Sequence, residues 1–190
     1  MKQRILIGVL LGLVLLLATG LAICLIDRTL NRAVKIDITQ ARIDAALAEK
    51  FPLEKTYLKI VRVTYAKPRA VLLPDQEKVL VSLDVTVKVG VSGLEKSYTG
   101  SASLTTRVGY HPTDHRFYLQ EAELQTLEVP KIPEYYREIL RNGINLLAGE
   151  FGEGIPIYKL TQKDTKTNLA KLLLKEVSIR KDKVEVTLGL

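Results

Sequence analysis

Catalysis needs a nucleophile, a base or a set of metal ligands at workable spacing. In this 190-residue chain the densest such set is His111-Pro112-Thr113-Asp114-His115. Two imidazoles beside a carboxylate make a plausible metal donor set. No third histidine exists, and Cys24 is the only cysteine. Pro112 and Asp114 are also ordinary turn formers, so the segment reads as a turn between strands. A nucleophile with a histidine base would have to use one of the same two histidines, and neither lies near a glycine-rich or elbow motif. Glu121 and Glu123 share a face of a strand pattern, where solvent accounts for them. Gly149, Gly152 and Gly154 bracket Phe151 without the lysine–serine pair of a phosphate-cradling loop, and read as a helix end. The expectation is a protein that binds rather than catalyses, with no metal and no cofactor.

The tyrosines are better suited to binding. Tyr57, Tyr65, Tyr98, Tyr110, Tyr118, Tyr135, Tyr136 and Tyr158 can each set a ring against apolar matter and a hydroxyl towards a polar head. Packing in the core and at its edges is the plainer use. The net charge is +7, but the cations are scattered, with a short cluster at Arg180, Lys181 and Lys183. No nucleic-acid module is recognisable, so nucleic acid is not an expected partner. A basic surface would favour anionic headgroups.

These side chains need elements to position them, and the first element is a membrane anchor. Ile5 to Ile26 contains no charged residue. As a helix it would rise about 33 Å, against a hydrocarbon core of about 30 Å. It is longer than the apolar core of a cleaved signal peptide. Lys2 and Arg4 precede it, which keeps residues 1–4 cytoplasmic and sends the rest across. Two other fates stay open: cleavage near Ala18, Gly20 or Ala22, and lipidation at Cys24. Ile23, bulky where a lipoprotein signal has a small residue, disfavours lipidation. Residues 27–34 read as a spacer and 35–190 as one domain, a size that folds without disulfides.

Within the domain, Val34 to Ile38 alternates as a strand. Thr39 is placed to cap a helix with Ile43, Ala46 and Leu47 on one face, stopped by Pro52. Tyr57 to Ala66 is β-rich, with Pro68 and Pro74 marking a loop after it. Val79, Val81, Leu83, Val85, Val87 and Val89 alternate with mostly polar residues, which describes a sheet covered on one side. Gly90 and Gly93 frame a turn. Tyr98, Gly100, Ala102, Leu104, Thr106, Val108 and Tyr110 form the facing row of the next strand. The third run, Arg116 to Val129, puts Phe117 and Leu119 on one face and Ala122 and Leu124 on the other, so a bulge is expected near Gln120-Glu121. Helical spacing follows from Pro133 to Gly149, through Tyr136, Ile139, Leu140, Gly143, Ile144 and Leu147. Pro156 to Leu160 is a short strand. Asp164 or Thr165 caps a helix carrying Leu169, Leu172 and Leu173. A hairpin, Glu176–Ile179 and Val184–Leu188, closes the chain. The expected fold class is α+β: a long curved antiparallel sheet wrapped around the helix from Pro133 to Gly149.

Three stretches carry a family likeness. Ile36-Asp37-Ile38-Thr39-Gln40, Phe117-Tyr118-Leu119 with Glu121-Ala122-Glu123-Leu124, and Pro156-Ile157-Tyr158-Lys159-Leu160 with the residues up to Val184-Glu185-Val186 occur in the order seen in the YceB-like bacterial lipoproteins. The chain resembles that family from about Lys35 to Leu190. The resemblance implies a domain similar to the tubular lipid-binding (TULIP) folds, in the envelope of a Gram-negative bacterium, and carries no catalytic residues. Ile23 departs from the family's lipobox, which favours a single-pass protein of the inner membrane with its domain in the periplasm. The expected ligand is a lipid or another apolar molecule. Its expected groove comprises Val81, Leu83, Val85, Val87, Tyr98, Leu104, Phe117 and Leu119, facing Tyr136, Ile139, Leu140, Ile144 and Leu147. The rival reading is an envelope protein-interaction module with a filled core, whose exposed strand edge recruits a partner protein.

Overall fold

The computed structural model describes residues 33–90, 94–150, 154–161 and 172–189. Among them the chain forms β1 (Val34–Thr39), α1 (Gln40–Ala48), β2 (Leu53–Tyr57), β3 (Val61–Leu73), β4 (Lys78–Val89), β5 (Lys96–His111), β6 (Arg116–Glu128), α2 (Glu134–Glu150), β7 (Ile155–Lys159), β8 (Leu173–Ile179) and β9 (Lys183–Gly189). Six strands make an antiparallel sheet in the order β2-β3-β4-β5-β6-β7, and β1-β9-β8 make a second sheet.

Alternation explains the large sheet. On β4, Val79, Val81, Leu83, Val85, Val87 and Val89 are buried, while the residues between them are half-buried or exposed. Branched side chains on one face suit a half-covered pleated surface. Bulges then curl it. The pairing of β3 with β4 shifts between Ala66 and Arg69, where Lys67 has a φ of 49° and Pro68 has no N–H to give the ladder. The pairing of β5 with β6 shifts between Thr105 and Arg107, opposite Gln120 and Glu123, and Glu121 there has a φ of 54°. The sheet curls into a half-barrel with its apolar face inward.

Two helices lie across the open side. Ile43 and Leu47 of α1 are fully buried, and α1 touches both β3 and β7. It is held there because β2 pairs with β3 only from Val61 to Tyr65, which leaves the outer edge of β3 unpaired by β2 beyond that point. Asp44 Oδ1 accepts the Ala70 N–H at 2.8 Å, and Gln40 Nε2 donates to the Ala70 carbonyl at 2.8 Å. These are the backbone groups a missing strand would have satisfied. Thr39 occupies the N-cap position but its side chain makes no capping hydrogen bond; the Gln40 N–H instead donates to the Asp182 carbonyl at 3.1 Å. The second helix, α2, packs on β6 through the buried Leu140 and Ile144. The Tyr57 hydroxyl of β2 donates to the Gly143 carbonyl at 3.3 Å. A Cβ at position 143 would stand 2.6 Å from the Tyr57 ring, so only glycine allows this approach.

The expected α+β class, with one long sheet wrapped around the helix from Pro133 to Gly149 in a TULIP-like way, is overturned. The described part is mostly β, its strands divide between two sheets, and α2 lies against β6 while α1 shares the closing of the half-barrel. The first and last strands do not lengthen the meander. They join each other, from Val34↔Leu188 to Thr39↔Lys183, and Ile36, Ile38, Ile179, Val184, Val186 and Leu188 all enter the common core. The Tyr57–Ala66 run is broken by a turn at 58–60, and Pro68 lies inside β3 rather than in a loop after it. Leu173, expected on a helix, begins β8; residues 162–171 lie outside the described residues. So does the transmembrane segment from Ile5 to Ile26. Among the described residues no helix is long and apolar enough to cross a membrane.

Candidate functional site

The groove residues expected from the sequence fall into three groups. Val81, Leu83, Val85 and Val87 of β4, Leu104 of β5, Phe117 and Leu119 of β6, and Leu140 and Ile144 of α2 are buried. Tyr98, Tyr136 and Ile139 are half-buried. The Leu147 side chain lies outside the described residues, as does Cys24, the disfavoured lipidation site.

Four members of the first group meet around one void. Val81, Leu83, Leu104 and Leu119, with Phe51, Thr106, Ala122 and Ile155, enclose about 20 Å³. The Thr106 hydroxyl is spent on the Val79 carbonyl at 3.1 Å, so the lining offers a guest essentially hydrocarbon. That volume suits about one water molecule, whereas ligand pockets run from about 300 to 1,000 Å³. The face is apolar and closed in this form. Phe117 joins a different set, with its ring 4.9 Å from that of Tyr110 and 6.0 Å from that of Tyr158. Sequence reasoning set Thr106 in the facing row of β5 but missed Phe51, Ala122 and Ile155 as groove residues. Phe51 stands directly before the helix-stopping Pro52, a position whose packing partners no periodicity reveals.

Tyr65 is wholly buried on β3, and its hydroxyl has no hydrogen-bond partner among the described residues. Burial, chiefly, pushes its ionisation well above the usual tyrosine range, and the neighbouring Tyr57 hydroxyl adds to this.

The histidine turn is a structural knot. Tyr118 donates its hydroxyl to Asp114 Oδ2 in a short bond, and the Arg116 N–H donates to Asp114 Oδ1 at 3.2 Å. The Tyr118 bond first, then the Arg116 amide and charge, holds the Asp114 carboxyl below the usual carboxylate range, against some desolvation. The His111 ring lies 4.4 Å from that of Tyr118. Among the described residues no three His, Cys, Asp or Glu side chains gather as a metal site.

Two surface clefts differ in how their charges are met. One, of about 390 Å³, lies on the β1-β9-β8 sheet. There Lys183 pairs with Asp37 at 2.8 Å and Glu185 at 3.0 Å, and Arg180 with Glu185 at 3.1 Å. Those partners raise Lys183 and lower Glu185 from their usual values. The other cleft, of about 720 Å³, lies between α1 and β7 and is lined by Arg42, Lys50, Arg116 and Lys159 with Glu49. The Arg42 guanidinium sits 4.5 Å from the centre of the Tyr158 ring. The two sites adjoin: Lys50 and Pro156 line this groove, while their chain neighbours Phe51 and Ile155 line the apolar void.

No curated protein matches the chain. Residues 38–183, which run from β1 into β9, match the model of a family described as protein of unknown function, DUF1439. The chain therefore belongs to the DUF1439 family.

Proposed function

We propose that this domain binds an apolar chain, such as a lipid acyl tail, against the concave face of the curled sheet. The observation that carries the reading is the hydrocarbon-lined void where Val81, Leu83, Leu104 and Leu119 meet beneath Phe51. At about 20 Å³ it is a seed of a site rather than a site, so a guest must displace a cover. The cover is Phe51, which stands between α1 and β2 and lines the void from that side. Each Å² of apolar surface that a tail buries contributes about 25 cal/mol. An anchor at Ile5–Ile26 would hold the domain close to a bilayer, and the likeness to YceB-like lipoproteins supports a periplasmic setting at the bacterial inner membrane.

The test is native mass spectrometry of the full chain, purified in non-ionic detergent without added lipid, beside Ala122→Phe. The substitution fills the void and leaves residues 5–26 untouched. One retained lipid on the native chain, absent from the variant, is the expected result. An empty native chain, or a variant that keeps the lipid, removes the proposal.

A second reading is favoured by the smallness of the same void. With the core filled, the domain would be an envelope interaction module. β8 is an edge strand, and its Leu173 and Leu174 are 52% and 38% exposed, a fit for strand addition by a partner protein. One dominant protein crosslinked to β8 in intact cells, with no lipid on the purified chain, would select this reading.

A further inference from the structure

The groove between α1 and β7 has more positive charge than its surroundings answer. Arg116 and Lys159 are direct cross-strand partners in the β6–β7 ladder. Like charges so placed repel and destabilise the pair. Arg42 of α1 and Lys50, just after it, enter the same groove, and among the described lining residues Glu49 alone bears a carboxylate. Among the described residues no carboxylate comes within 4.0 Å of any of the four cations, and Asp114, on which the Arg116 charge acts, lies beyond that distance. The cleft on the small sheet makes the contrast, because each of its cations named above has an acidic partner. Arg42 is further placed by the Tyr158 ring, whose centre lies 4.5 Å from the guanidinium carbon, a cation–π contact that does not use the guanidinium N–H donors. An anion in the groove would relieve the Arg116–Lys159 repulsion and accept charge-assisted hydrogen bonds.

We infer that this groove, where Arg42, Lys50, Arg116 and Lys159 meet against a ring-backed wall with no described carboxylate within 4.0 Å, is a site for a phosphate group, and that it takes the headgroup of an anionic amphiphile. The headgroup assignment rests on the apolar-chain reading proposed above. It follows from adjacency: Lys50 and Phe51 are consecutive, as are Ile155 and Pro156, so one wall separates the groove from the void. A molecule with its phosphate on the four cations has its tail directed at Phe51. The groove, at about 720 Å³, has room for a glycerophosphate head.

The experiment titrates the full chain in non-ionic detergent with dihexanoyl-phosphatidylglycerol, with dihexanoyl-phosphatidylcholine and with inorganic phosphate. The binding isotherms are repeated on Lys50→Gln/Lys159→Gln, which removes charge at two exposed positions. The native chain is expected to bind the anionic lipid at least about tenfold more tightly than the zwitterionic one, and the double variant to lose about tenfold or more. Affinity should fall as salt rises. Inorganic phosphate binding as tightly as the lipid would assign the same phosphate chemistry to a free anion. Equal affinity of native chain and variant for phosphatidylglycerol overturns the site. Failure of the apolar reading is separate: there, inorganic phosphate still binds and still responds to the double variant, while no lipid is retained by mass spectrometry.

Discussion

At the scale of single residues, the core face of the half-barrel should be intolerant of loss. Leu83→Ala removes a buried side chain, 3% exposed, from the wall of an existing void. It is expected to cost about 2–5 kcal/mol by denaturant unfolding. Tyr65 should behave in the opposite way. Its buried hydroxyl has no partner among the described residues, and an unmet polar group of this kind costs about 1–3 kcal/mol. Tyr65→Phe should therefore unfold at higher denaturant than the native chain; a clear loss of stability would mean the hydroxyl is satisfied, with Tyr57 its nearest candidate. The Asp114 knot gives a pH dependence. Its carboxyl is depressed in the folded state, mainly by the Tyr118 hydroxyl. The stability it lends is complete above the unfolded value of about 3.9 and is lost as the pH falls through the lower folded value. Asp114→Asn should flatten the acid limb of a stability–pH curve below about pH 4 and leave the neutral region's slope unchanged.

At the scale of elements, α2 is the part expected to move. Gly143→Ala improves intrinsic helix propensity by about 1 kcal/mol, yet it sets a Cβ 2.6 Å from the Tyr57 ring. The expected outcome is a helix lifted from β2, with faster amide exchange along α2. Unchanged exchange would show that α2 is not held at this point. The elements themselves were largely legible in the sequence. The valine row of β4, the meander and the phase slip at Gln120-Glu121 are period-two facts, and a bulge appears where the phase slips. Hidden from periodicity was which strands pair. Val34 to Ile38 and the closing hairpin read as strands, but nothing local says that β9 pairs with β1, most of the chain away. The groove at α1 and β7 was equally illegible. Arg42 and Lys159 stand far apart in sequence, and only the curl of the sheet, bridged by α1 from β3 to β7, makes them neighbours.

At the scale of the whole molecule, the two ends of the domain stand or fall together. β9 is the centre of the small sheet, paired on both sides by β1 and β8, and Val184, Val186 and Leu188 are fully or almost fully buried. Ending the chain at Asp182 should abolish a single cooperative unfolding transition, because the half-barrel then loses the sheet that caps its core. A truncated chain that still melts in one sharp step would separate the small sheet from the core.

The central claim, that the concave face takes an apolar chain, is tested most directly by where a photoactivatable lipid attaches. The full chain in nanodiscs containing a phospholipid with a diazirine on its acyl tail is irradiated, digested and mapped by mass spectrometry. The expected crosslinks fall on peptides of β4, β5 and β6 that contain Val81, Leu83, Leu104 or Leu119, and they disappear in Ala122→Phe. Crosslinks confined to the 5–26 segment and the outer surface, unchanged by that substitution, would contradict the claim.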